Sequence, residues 1–189
     1  MALTNKNITS TNIPFTHHRL LYFSIGSTLG MFFYVKCFLS DFSNCFLLDA
    51  GANSLGLSFY YTLDMVQTFF EERTRTQLLC YRQFLQIWDT LFAFIYTLMY
   101  ASWMMYFLKN KRLFLIIPVL AMCTDWAENY VEMLMLETYL NSSPISESFV
   151  SLGSGINSCK WLLSILTYLI ILIGMMSSLK IFFTKSKLV

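Results

Sequence analysis

The strongest constraint on this chain is a set of apolar runs, each about twenty residues long, the length a helix needs to cross the hydrocarbon of a bilayer. They extend from about Leu20 to Leu39, Phe84 to Leu108, Leu113 to Leu136 and Ile156 to Phe183. Hydrophobic residues make up 56% of the 189 and charged residues 13%. A water-soluble fold of this size cannot bury so much apolar surface. The expected fold is all-α: a polytopic membrane protein built as a bundle of four transmembrane helices.

The first run exceeds the roughly 7 to 15 apolar residues of a signal peptide and continues through Phe32-Phe33-Tyr34-Val35, so it reads as a retained helix. Residues 1–19 form a polar tail, 20–183 a single transmembrane domain and 184–189 a basic tail. Between the first two runs, a connector over about 57–83 spaces Tyr61, Met65, Phe69, Leu78 and Leu79 among Glu71, Glu72, Arg73 and Arg75. That pattern predicts one or two amphipathic helices that lie on the membrane or cap the bundle, with a solvated connecting helix as the alternative.

Thirteen Lys and Arg sit at the ends of apolar runs, which gives nucleic acid no basic face to bind. Five cysteines occur singly with no C-x-x-C, and the only two histidines, His17 and His18, precede the first run. No metal site or cofactor is spelled out. Placing Lys6, Arg19, Lys109, Lys111, Arg112, Lys180, Lys185 and Lys187 on one side puts both termini in the cytosol, or on the matrix side, by the positive-inside rule.

Within the third run, Asp125, Glu128, Asn129 and Glu132 are spaced i, i+3, i+4 and i+7, which puts them on one helix face. At 1.5 Å per residue from Leu113, Asp125 falls about 18 Å along the helix, near mid-bilayer. An ionisable group there costs at least about 2.5 to 3.5 kcal/mol unless it faces a bundle interior or water. Asp89 on the second helix and Lys160 on the fourth fall at similar depth, with Tyr96 and Trp126 as further polar partners. The candidate binding residues are therefore Asp89, Tyr96, Asp125, Trp126, Glu128, Asn129, Glu132 and Lys160. A purely structural stripe that knits helices together is the competing reading.

With Asp89, Pro118, Asp125-Trp126-Ala127-Glu128-Asn129 and Lys160-Trp161, the chain resembles an uncharacterised family of four-helix integral membrane proteins that carry D-x-x-E-N in helix three. That resemblance implies a fold but no activity. A weaker likeness, through Asp41 and Asp89, is to the emopamil-binding and sigma-2 receptor (EXPERA) superfamily, whose members bind sterols or amines. The third helix departs from that pattern, and the catalytic His of its isomerases has no counterpart here.

The leading expectation is an intramembrane acidic cavity that binds or moves a small apolar or cationic ligand, a lipid or a proton. The alternative is an accessory subunit of a larger membrane complex, or a homo-oligomer, with the stripe meeting a partner helix. A lipid- or sterol-modifying enzyme ranks third, because the sequence has no Gly-rich phosphate loop, no G-x-S-x-G and no H-x-x-x-H.

Overall fold

The computed structural model describes residues 14–48, 54–108 and 112–186, whose regular structure is all helical. Helix α1 (Pro14–Tyr34) passes through a π-helical turn (Val35–Leu39) into the short α2 (Ser40–Ser43). After α3 (Leu63–Glu71), α4 (Arg75–Gln83) runs through a second π turn (Phe84–Asp89) into α5 (Thr90–Leu108). A 3-10 turn (Arg112–Leu115) precedes α6 (Ile116–Leu140), and α7 (Glu147–Ser186) comes last. The tail before Pro14, Asp49, Gly51, Lys109, Lys111 and Lys187 lie outside the described residues.

Several boundaries depart from the sequence expectation, beginning with the first helix, which starts at Pro14 inside the expected polar tail and continues helical to Ser43 instead of Leu39. The second long helix begins at Arg75 instead of Phe84, so the latter part of the expected connector belongs to it. The reason is a capping box: Gln77 N donates to Thr74 Oγ1 at 3.3 Å, and Thr74 N donates to Gln77 Oε1 at 2.9 Å. Helix α6 continues to Leu140, and α7 begins at Glu147, where Phe149 N donates to Ser146 Oγ at 3.2 Å. Gly153 and Gly155, expected in a loop, are helical.

His18–Ser43, Arg75–Leu108 and Glu147–Lys180 are each long and apolar enough to cross a membrane. In the first and last of these, only 11% of the most apolar stretch is buried within the protein, and Phe32, Phe33, Leu169 and Ile173 face outward. Apolar surface of that extent suits lipid contact and is foreign to a water-soluble monomer.

Helix α1 packs on α5 and α6 on α7, while α5 also touches α6 and α7. Side-chain hydrogen bonds join α1 to α5. Ser27 Oγ and Ser102 Oγ are 3.0 Å apart, and Trp103 Nε1 donates to Thr28 Oγ1 at 2.8 Å.

The largest core lies at one end, where α3 buries Val66, Phe69 and Phe70 against Phe46, Tyr81 and Phe84. A Cys45–Cys80 disulfide, unannounced by the scattered cysteines of the sequence, ties the segment after α2 to α4. Arg73, expected on a polar connector surface, is buried and donates to the carbonyls of Phe46 (2.9 Å) and Phe69 (2.7 Å). Tyr61 N donates to Ser154 Oγ at 2.9 Å, which docks the segment before α3 onto α7.

That docking leaves no room at Gly153, where an added Cβ would lie 2.5 Å from the Tyr61 hydroxyl and 2.9 Å from Val131 Cγ1. Gly153→Ala is expected to destabilise the protein by about 1–3 kcal/mol, read as a lowered thermal midpoint in detergent. Gly155→Ala, with nothing within 4 Å of the added methyl, serves as the control and should leave the midpoint unchanged.

Candidate functional site

The α6 stripe is real and inward-facing: Asp125, Glu128, Asn129 and Glu132 are all buried. The 3.6-residue period alone aligns them, and packing against α4, α5 and α7 surrounds them. From α7, Lys160 Nζ lies 3.3 Å from Asp125 Oδ1 and forms an ion pair with Glu128 Oε2. The same ammonium donates to the Gly56 carbonyl at 3.3 Å, and Trp161 Nε1 donates to that carbonyl at 3.2 Å. Gly56 allows this approach, because a Cβ there would stand 2.9 Å from Glu128 Oε1.

Tyr96 donates its hydroxyl proton to Asp125 Oδ2 at 2.9 Å, and the Tyr81 hydroxyl donates to Glu132 Oε2. Asp89 ends the second π turn, a device that widens a helix by one residue and leaves a carbonyl to be satisfied elsewhere. The displaced Leu85 carbonyl accepts from Thr90 Oγ1 at 2.9 Å and from Asn129 Nδ2 at 3.5 Å. Across from it, the Tyr34 hydroxyl donates to the Trp88 carbonyl at 2.7 Å, joining the two π-turn regions.

Between these elements lies a cavity of about 370 Å³, within the range of small-molecule sites. Asp89, Tyr96, Asp125, Asn129, Glu132 and Lys160 all border it. Its walls are mainly apolar and aromatic, with Phe92, Tyr96, Tyr100 and Tyr168 in successive ring contact at 5.4, 5.4 and 5.0 Å. No known protein family, curated protein or solved structure matches the chain. The chemistry of the cavity must therefore be read from its own atoms.

Two expected residues stand apart. Trp126 lies one residue round the helix from Asp125, is 39% exposed, and donates its indole N–H to the Thr90 carbonyl at 3.0 Å instead of lining the cavity. Glu128 is buried behind Lys160 and does not border the open space. Four groups were not legible as partners: Tyr81, Ser54, Gly56 and Tyr61. Among the described residues no set of three His, Cys, Asp or Glu side chains is arranged to hold a metal ion.

Asp125, Glu128 and Glu132 thus have named donors, and Lys160 is engaged by the first two and the Gly56 carbonyl. Asp89 borders the cavity, and among the described residues no Lys or Arg stands within ion-pair distance of it. A carboxylate facing an aromatic-walled cavity can recognise a positive charge by direct pairing and by cation–π contact.

Proposed function

We propose that this is a four-pass membrane protein whose cavity binds an apolar molecule bearing one cationic nitrogen, taken from the bilayer. In this reading α6 is the fourth crossing; its 25 residues span the distance despite the acids, because the stripe faces inward. The chain then alternates direction, with Arg19, Arg112 and Lys180 at one end and the Cys45–Cys80 disulfide at the other. Disulfides belong to oxidising compartments, so the acidic, disulfide-bearing end faces the lumen or cell exterior and the cationic end the cytosol.

The observation that carries the binding reading is Asp89: a cavity-lining carboxylate with no ion-pair partner among the described residues, beside a ladder of aromatic rings. Lys160 is held by Asp125 and Glu128, so an incoming ammonium can settle between Asp89 and the Tyr96 ring without displacing it. The apolar remainder of the ligand fills the space beside Met31, Met99 and Tyr168.

The test compares a long-chain alkyltrimethylammonium with the alkanol of equal chain length, titrated into the full-length protein in lipid nanodiscs. The ammonium is expected to bind at least tenfold more tightly, about 1.4 kcal/mol. Equal affinities would remove the charge from the recognition and with it this reading. A discrete heteromeric complex that buries the cavity mouth on gentle solubilisation would favour the accessory-subunit alternative instead.

A further inference from the structure

Among the described residues, two buried carboxylate oxygens on α6 have no donor: Oε1 of Glu132, which borders the cavity, and Oε1 of Glu128, which lies behind Lys160. Each glutamate is served on its other oxygen, Glu128 by Lys160 and Glu132 by Tyr81. The two sit at i and i+4 on the same buried face of α6, the spacing that makes side chains one helical turn apart neighbours. A carboxylate only accepts, so two ionised groups cannot bond; one proton between them satisfies both.

Close by, beside Gly153 and Val131, the hydroxyl of Tyr61, a residue 2% exposed, also has no hydrogen-bond partner among the described residues and lies within electrostatic range of both glutamates. Burial, reinforced by Glu132 and Glu128, holds this phenol above its ordinary pKa, so it is present as a donor.

The surrounding charges leave the pair short of cations. Helix α6 contributes Asp125, the π turn Asp89, α4 and α5 the neutral Tyr81 and Tyr96, and α7 the single ammonium of Lys160, which Asp125 shares. Arg73, the other buried cation named among the described residues, donates to the Phe46 and Phe69 carbonyls. Two like charges buried at this range with a fraction of one counter-ion are not both sustained.

We propose that Glu128 and Glu132 share one proton, forming a proton site distinct from the ligand-facing Asp89, and that a bound cation is exchanged for that proton. The exchange half rests on the amine-binding reading; the shared proton does not. When a cation settles between Asp89 and the Tyr96 ring, buried positive charge rises by one, which favours the ionised form of every nearby carboxyl. The glutamate O–H bond then breaks heterolytically, and the proton leaves for water at the disulfide-bearing end. Tyr81 and Ser54, whose oxygens are 3.3 Å apart, lie on that route. Net buried charge is the same before and after.

The experiment uses the full chain in nanodiscs and a quaternary ammonium amphiphile, which carries no titratable proton. Calorimetric titration in two buffers of different ionisation enthalpy reads the protons released. About one per bound cation is expected, with affinity falling up to tenfold for each pH unit of acidification. Glu132→Gln should bind with neither proton release nor pH dependence. Binding by the unaltered protein without proton release, or release undiminished in Glu132→Gln, overturns the exchange.

Infrared spectroscopy with carboxyl-labelled glutamate reads the proton site without any ligand. A protonated glutamate carbonyl band that shifts on labelling and is lost in Glu132→Gln is expected; no such band overturns the shared proton. No cation binding to the unaltered protein, with the band present, would sink the amine-binding reading and the exchange while sparing the proton site.

Discussion

Replacing Lys160 by Met is expected to be the most damaging single change in this protein. Its ammonium contacts Asp125 Oδ1 at 3.3 Å, pairs with Glu128 and holds the Gly56 carbonyl at 3.3 Å. Removing one partner of a buried ion pair leaves charge uncompensated and costs about 3–5 kcal/mol. An average interhelical hydrogen bond in a membrane contributes about 0.6 kcal/mol, so loss of bonds alone cannot match that effect. Lys160→Met should therefore accumulate poorly or unfold at a much lower temperature in detergent. Adding Glu128→Gln removes an orphaned charge and should recover part of the loss. A Lys160→Met protein as stable as the parent would mean that both carboxylates are already neutral or hydrated.

Asp89→Asn is expected to abolish ammonium binding while leaving the fold intact. The change is nearly isosteric, and Asp89 borders the cavity with Asn129 as its polar neighbour, outside the ion pairs that join α6 to α7. Losing one partner of a buried charge pair costs about 2–5 kcal/mol, which is about thirtyfold or more in affinity. Alkanol affinity should change little, since the apolar walls are untouched. Equal losses for ammonium and alkanol would indicate a collapsed cavity and not a lost charge.

Much of the site was legible in the sequence because it depends on one helix. The i, i+3, i+4, i+7 spacing fixes Asp125, Glu128, Asn129 and Glu132 on a common face whatever surrounds them. Lys160 stood out as a cation at the opposite end of an apolar run from Lys180, Lys185 and Lys187. Trp126 was placed with this set by its neighbourhood in sequence, yet one residue turns a side chain about 100° round a helix, and it points away.

The unread part depends on packing across long sequence separations. Tyr81 is one of eleven tyrosines, and only the fold brings it to Glu132. Cys45 and Cys80 meet because α4 stands against the segment after α2, and no spacing rule announces it. The π turns at Val35–Leu39 and Phe84–Asp89, which contribute Leu39, Phe84, Leu85 and Asp89 to the cavity wall, have no readable sequence signature. The start of the second long helix has a local signal in Thr74-Arg75-Thr76-Gln77, a capping box that a reading based on apolar runs passes over.

The location of the bound nitrogen tests the cavity most directly. A crystal grown from lipid with an alkylammonium brominated along its chain gives the position of the tail from anomalous scattering and that of the head from the adjoining density. The bromine is expected inside the cavity beside Met99 and Tyr168, with the nitrogen against Asp89 and the Tyr96 ring. Bromine found only on the outer, lipid-facing surfaces of α1 and α7, with the cavity free of the amphiphile, would contradict a ligand site between the helices.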